Sequence, residues 1–455
     1  MNLPEQFRER TKVILGDEYE SFESALMSDA PISVRVNDAK CQELPDLERV
    51  SWASSGYYLG SRPLFTMDPC FHSGVYYVQE ASSMFLEQAF RQHLDVEQPC
   101  ILDLCAAPGG KSTHLAQLMA GEGLLVSNEV IRARVKILAE NMTKWGAPNV
   151  VVTNNDPSDF TPLRGFFDMV VVDAPCSGEG MFRKDPASID EWSVDNVKLC
   201  SERQRRIVAD IFPTLKEGGL LVYSTCTYNR EEDEENVRWI MDELGAEYLP
   251  LELPAEWNIA SEGLGYHFFP HRTEGEGFFL AVLRKTDSEG TFRIKPAKPS
   301  KGAQAVKIPA VLSEWIQSPS DYVIRSVADG FTAVPKAWTT EIGALESQLQ
   351  VVQAGVLLGQ VKGKDILIDT ALALSSILRE EAFEVADLSW KDAVAFLKRD
   401  NLVLPELAKG WVLVRFGGHP LGFVKNLGNR ANNTYPQAWR IRMEADGERY
   451  EPFLK

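Results

Sequence analysis

Seven cysteines are spread over 455 residues, and no two stand in a Cys-x-x-Cys spacing. That scarcity excludes a disulfide framework and a structural zinc site; it implies no bound metal and a reducing compartment, the cytoplasm. No apolar run approaches the length of a membrane span, and Met1 to Glu20 lacks the apolar centre of a secretion signal, so no membrane partner is expected. No Gly-Lys-Ser/Thr stands at the spacing of a phosphate-binding loop, which excludes the usual triphosphate cradle. Cations are outnumbered as well. A net charge of −18 argues against a broad nucleic-acid-binding face. Between Glu406 and Glu444, however, acidic residues are the ones missing. That stretch holds Lys409, Arg415, Lys425, Arg430, Arg440 and Arg442 among Trp411, Phe416, Phe423, Tyr435 and Trp439. Two readings stay open there: cations and rings that meet phosphates and bases, or aromatic core beneath a solvated face.

A chain of 455 residues exceeds a single core, and the composition is that of a globular protein. Residues 1–95 read as a first, accessory unit with an alternating strand at Pro31–Asn37 and a helix entered through Tyr76–Gln79. From 96 to 286 strand and helix alternate. Strands are expected at Ile101–Leu104, Leu124–Asn128, Val150–Thr153, Met169–Val172, Leu220–Ser224 and Phe278–Leu283. Helices are expected at Thr113–Ala120, Arg132–Trp145, Ser193–Ile211 and Glu231–Leu244. Apolar runs of this kind build the buried parallel strands of a doubly wound α/β sheet. Residues 287–309 read as a linker rich in Lys, Pro, Ala and Gly, 310–400 as a middle accessory domain, and 401–455 as a small β-rich domain. The acidic run Glu231 to Glu235 reads as the first turn of a helix capped by Asn229, not as a metal site.

Ligands of such sheets collect at the carboxyl ends of the strands. The first strand runs into Cys105-Ala106-Ala107-Pro108-Gly109-Gly110-Lys111, a glycine turn. Glu129 closes the second strand, where a carboxylate meets ribose hydroxyls; Asp156 follows the third, within reach of an adenine amino group; Asp173 ends the fourth. Carboxylates for ribose and base without a phosphate cradle fit S-adenosylmethionine better than NAD. The pair Gly218-Gly219 points the same way, as a turn from helix to strand near the sheet edge.

Two further strand ends carry thiols, in Asp173-Ala174-Pro175-Cys176-Ser177-Gly178 and Ser224-Thr225-Cys226-Thr227. Both cysteines lie beside polar turns rather than inside apolar runs, so both are expected to open into one crevice. Cys41, Cys70, Cys100 and Cys200 read as inert, and Cys105 is ambiguous between cofactor loop and core. Two thiols beside a cofactor loop suggest covalent catalysis. Carbon 5 of cytosine takes a methyl group only after a thiolate adds to carbon 6. Lys111 is a candidate for raising the thiolate fraction, and Asp173 for holding the ring. Which thiol attacks is left open by the residues themselves.

These motifs resemble those of the RNA cytosine-5 methyltransferases of the Nol/Nop/Sun type. Leu102 to Lys111, Asp173 to Gly180, Ser224 to Tyr228 and the lead-in Tyr76 to Met84 carry the likeness, which spans about residues 30 to 286. It implies a Rossmann-like class I methyltransferase sheet and S-adenosylmethionine contacts from Cys105 through Lys111, Glu129, Asp156 and Asp173. It also implies Cys226 as nucleophile and Cys176 in product release. Gly417 to Lys425, Gly428-Asn429-Arg430 and Asn433 to Arg440 look like the PUA-like domain of RsmF-type bacterial enzymes. That likeness implies 16S rRNA or the small ribosomal subunit as partner; an RNA-binding or accessory role for the N-terminal unit and a monomeric protein are expected as well. A tRNA methyltransferase, or a non-catalytic assembly factor on the same fold, remains the alternative.

Overall fold

A computed structural model describes residues 2–41, 46–261, 263–287, 290, 307–328, 330–363 and 365–444. The expected linker lies almost wholly outside them. An antiparallel sheet comes first, β2 (Gly56–Leu59), β1 (Ile32–Val36), β3 (Tyr76–Val78), with β1 central. The central sheet follows: β4 (Cys100–Asp103), β5 (Leu124–Asn128), β6 (Val150–Thr153), β7 (Phe167–Asp173), β8 (Leu215–Thr225), β9 (Ala246–Tyr248), β10 (Tyr266–Phe268) and β11 (Phe278–Lys285). Its order from one side is β10-β11-β8-β7-β4-β5-β6, parallel from β8 to β6, with β11 antiparallel to β8.

The apolar runs become strands because both faces of the sheet are covered. Ile101, Met169, Val152 and Val222 enter one core; their neighbours Leu102, Val170, Val151 and Leu221 enter the other. A strand buried on both faces has no polar side to alternate with. The helix Arg132–Trp145 terminates at Gly146, whose φ of +87° is a left-handed cap that glycine adopts without a Cβ clash.

Several expectations need correction. The pair Gly218-Gly219 does not end a helix at the sheet edge: it lies inside β8, between β7 and β11, where the register slips from Phe167–Leu215 to Met169–Leu220. The helix expected from Glu231 begins at Glu234. Asn229 does cap, accepting from the Glu232 amide at 2.9 Å, but the turn it caps is buried. The expected unit 310–400 is not separate. Strands β12 (Tyr322–Val327), β13 (Gly330–Pro335), β15 (Val356–Lys362) and β16 (Asp365–Ile368) form their own sheet, yet β14 (Val351–Ala354) joins the central sheet beside β6. β17 (Glu384–Asp387) pairs in parallel with β18 (Gly410–Phe416), followed by β19 (His419–Asn426) and β20 (Ala431–Asn433), so one sheet straddles residue 400.

Phe423 of that last sheet and Tyr435 just beyond it are core, while Arg415 pairs with Glu380 and Asp387 and Lys425 with Asp365. Lys409, Arg430, Arg440 and Arg442 remain exposed. The N-terminal helices Glu5–Leu15 and Tyr19–Leu26 leave the first sheet and pack through Phe7 and Phe22 on Phe182, Trp192 and Tyr228 of the central domain. No helix of the described residues is long and apolar enough to cross a membrane.

Candidate active site

Three neighbouring strands end at one cavity of about 380 Å³: β4 at Asp103, β7 at Asp173, and β8 just before Cys226. Its wall includes Cys105, Ala106, Ala107, Pro108, Gly110 and Lys111 from the glycine turn, and Ala174 and Cys226 from the thiol loops. The volume suits a small-molecule cofactor.

The turn is held from outside. Asn128 accepts from the Ala106 amide at 2.8 Å, Arg134 donates to the Ala107 carbonyl at 2.6 Å, and Asn141 donates to the Pro108 carbonyl at 2.8 Å. Gly109 takes φ +120°, a conformation side chains resist, and so starts the helix Gly110–Leu118 directly at the cavity.

Asp103 is wholly buried. Its Oδ2 accepts from Ser112 Oγ at 2.7 Å, while Oδ1 has no partner in the protein. Burial pushes its carboxyl up to about 7. A buried acceptor left without a donor on a cavity wall suits a cationic ligand such as the sulfonium or ammonium of S-adenosylmethionine. Asp173 is fixed on both sides: Ser224 Oγ donates to Oδ1 at 2.8 Å, and Lys111 Nζ lies 2.9 Å from Oδ2. Lys111 therefore serves Asp173.

Gly109, Glu129, Asp156 and Cys176 do not line this cavity. Glu129 Oε1 accepts from the Ile131 amide at 2.8 Å and Oε2 lies 3.4 Å from Arg134, the same arginine that holds Ala107. Asp156 caps the turn Pro157–Phe160; two hydrogen bonds from Ser158 hold its carboxyl below the usual range.

The two thiols do meet. Cys176 Sγ lies 2.8 Å from Cys226 Sγ, and neither forms a disulfide. Cys226 lines the cavity; Cys176, half-buried like Cys226, does not. The Cys226 sulfur beside it, then burial, push the Cys176 thiol well up. The loops are stitched together: the Gly180 amide donates to the Cys226 carbonyl at 2.8 Å, and the Tyr228 amide to Glu179 at 2.9 Å. Gly180 sits so close to Gly277 that a Cβ there collides with the Gly277 carbonyl. Cys105 lines the cavity while packing on the core, and burial pushes its thiol up; Cys70, Cys100 and Cys200 are buried.

Sequence reasoning missed Tyr77, Gln79, Met181, Lys184, Glu276 and Phe278, all of which line the cavity. Only the segment around Tyr77 carried a signal, through its likeness to the family.

Comparison with known proteins places the chain in a family. The 16S rRNA methyltransferase RsmB/F family matches residues 92–284, the N-terminal domain of 16S rRNA methyltransferase RsmF matches 3–81, and the methyltransferase RsmF PUA domain matches 383–441. The ribosomal RNA small subunit methyltransferase F of Escherichia coli O157:H7 is 34% identical over 387 residues, covering 80% of this chain and 78% of its own. The enzyme of the same name from Cronobacter sakazakii is 33% identical over 473 residues and covers 96% of both chains. Among solved structures, a methyltransferase homolog protein from Pyrococcus horikoshii superposes with TM-score 0.53 at 31% identity, covering 62% of this chain and 95% of that one. The chain thus belongs to the ribosomal RNA small subunit methyltransferase F family, and it is an S-adenosylmethionine-dependent methyltransferase with a Rossmann-like core and a C-terminal PUA domain.

Proposed function

We propose that this protein methylates carbon 5 of a cytosine in 16S rRNA, with Cys226 as the covalent nucleophile and Cys176 as its partner in product release. One observation carries the reading: of two touching thiols, both half-buried, Cys226 lines the cofactor-sized cavity and Cys176 does not. The names of the relatives, ribosomal RNA small subunit methyltransferase F, support 16S rRNA as the substrate.

The chemistry follows from what cytosine lacks. Its carbon 5 is too weak a nucleophile to be alkylated unaided. The Cys226 thiolate forms a bond to carbon 6, and the electron pair of the 5,6 double bond moves to carbon 5. S-adenosylmethionine, when bound, would supply an electrophilic methyl group: the carbon 5 electron pair forms the new bond to it as the methyl–sulfonium bond breaks, leaving a neutral thioether. The carbon 5 proton then leaves to a base, the double bond re-forms, and the sulfur–carbon 6 bond breaks. Asp173, fixed between Ser224 and Lys111, holds the ring at nitrogen 3 and stabilises the proton that makes carbon 6 electrophilic. Cys176, kept protonated by the neighbouring Cys226 sulfur and by burial, is placed to donate its proton to the departing Cys226 thiolate.

For the cofactor, Asp103, Cys105 to Pro108, Gly110 and Lys111 form the wall, and Gly109 shapes the turn. Glu129, at the end of β5, is assigned the ribose hydroxyls, and Asp156, just past β6, the adenine amino group. The target base must leave its stack to reach Cys226, at about a few kcal/mol, least where the RNA is single-stranded or distorted. The test is transfer of labelled methyl groups to 16S rRNA and to purified small subunits, with tRNA as control, followed by nucleoside digestion. Label recovered as 5-methylcytidine from 16S rRNA is the expected result; label in tRNA, or on another base, contradicts it.

A further inference from the structure

The acidic run after the Cys226 loop is not a solvated helix start. Glu232 and Asp233 are both fully buried, and they reach in different directions. Glu232 Oε2 accepts from the Ser177 amide at 3.0 Å and Gln204 Nε2 at 2.7 Å. Its Oε1 accepts from Asn229 Nδ2 at 2.8 Å and from the Ser177 hydroxyl. Ser177 follows Cys176. Asp233 Oδ1 accepts from the hydroxyls of Thr225 at 2.5 Å and Thr227 at 2.9 Å, the two residues that flank Cys226. Its Oδ2 has no hydrogen-bond partner, and His267 Nδ1, also without one, lies 3.9 Å away.

We infer that Glu232 and Asp233 are positioning residues: one buried turn grips the Cys176 loop with its first carboxylate and the Cys226 loop with its second. The turn thereby sets the distance between the two sulfurs. The inference rests on the proposed roles of those thiols, but the register itself does not.

The two grips differ in chemistry. Every polar contact of the Glu232 carboxylate is a donor aimed at it, three N–H groups and one hydroxyl. An amide at this position, in either orientation, turns an N–H₂ against at least one N–H, and Asn229 is prevented from flipping because its Oδ1 already accepts from the Glu232 amide. Asp233 needs only one accepting oxygen. An amide there keeps that oxygen for both threonines and offers its N–H₂ to the unpartnered His267 Nδ1. Glutamine at 232 therefore breaks the grip, whereas asparagine at 233 preserves it.

The experiment compares E232Q, D233A and D233N in the full chain, with three readouts. The first is covalent bridging of Cys176 and Cys226 by dibromobimane, which requires no RNA and reports only the sulfur register. The second is kcat and KM for methyl transfer. The third is cofactor affinity, which reports the integrity of the neighbouring fold. E232Q and D233A are expected to slow bridging about tenfold and lower kcat about 10- to 100-fold, with cofactor affinity within about twofold. D233N is expected to recover most of what D233A loses. Equal behaviour of E232Q and D233N overturns the inference, as does wild-type bridging in D233A. Loss of cofactor affinity in parallel with kcat makes the role merely structural and overturns it too. Should the thiol roles be wrong, the bridging contrast persists without a matching contrast in kcat.

Discussion

Asp103 is the residue whose replacement is most quantitatively constrained. Its carboxyl is fully buried, one oxygen lacks any partner, and burial pushes it from 3.8 up to about 7. Below about pH 4 the group is protonated in both folded and unfolded chains and contributes nothing. Between pH 4 and 7 the unfolded chain gives up the proton while the folded chain keeps it, so stability falls as pH rises. Above about 7 the loss is complete, and at about 1.4 kcal/mol per pH unit it amounts to about 4 kcal/mol. Asp103→Asn removes the buried charge, though it leaves an N–H₂ in place of the unpartnered oxygen. A realised gain of about 1–3 kcal/mol at pH 8.5, vanishing toward pH 4.5, is therefore expected. Denaturant unfolding of the cofactor-free protein at the two pH values measures it. Binding moves the other way: loss of a charge-assisted acceptor, about 1.5–3 kcal/mol, weakens S-adenosylmethionine about tenfold or more by calorimetry. An Asp103→Asn variant whose advantage is the same at both pH values, or absent at pH 8.5, refutes the reasoning.

Arg35, fully buried in β1, donates to Gln79 at 2.8 Å and Thr113 at 2.5 Å and stacks 4.4 Å over Trp145, tying the first sheet to the cofactor helix. Arg35→Ala should destabilise by about 3 kcal/mol or more in urea titrations, and a change under about 1 kcal/mol would exclude that tie. Gly180→Ala drives a methyl into the Gly277 carbonyl and displaces the thiol loop, so methyl transfer should drop at least about tenfold while calorimetric cofactor affinity holds. For RNA, Arg430→Ala and Arg440→Ala should each reduce the salt dependence of 16S rRNA binding by about one counterion, while Arg415→Ala, ion-paired within the sheet, leaves it unchanged. Equal slopes for all three variants would remove the exposed arginines from the RNA path.

Local patterning made the central sheet legible. Runs such as Val150–Thr153 sit between two cores, so their apolarity is continuous, and Arg132–Trp145 carries its own glycine stop. The glycine pair at 218 misled because a bulge inside a long strand and a helix-to-strand turn demand the same residues. β14 was hidden for a different reason: Val351–Ala354 is short and pairs with a strand some two hundred residues earlier, a partnership no local window contains. At the site, the thiols and the glycine turn stood out by sequence, because strand-end chemistry is local. Lys184, Glu276 and Phe278 arrive from distant segments. Glu232 and Asp233 read as a helix start because composition alone does not distinguish a solvated carboxylate from one buried beneath four donors.

In the proposed mechanism Cys226, not Cys176, bonds to the cytosine. Incubation with 5-fluorocytidine-containing 16S rRNA and S-adenosylmethionine arrests the reaction before the sulfur departs, and peptide mapping of the adduct identifies the attached residue. Attachment at Cys226, lost in Cys226→Ala and kept in Cys176→Ala, is the expected result. Attachment at Cys176, or an adduct that survives Cys226→Ala, contradicts it.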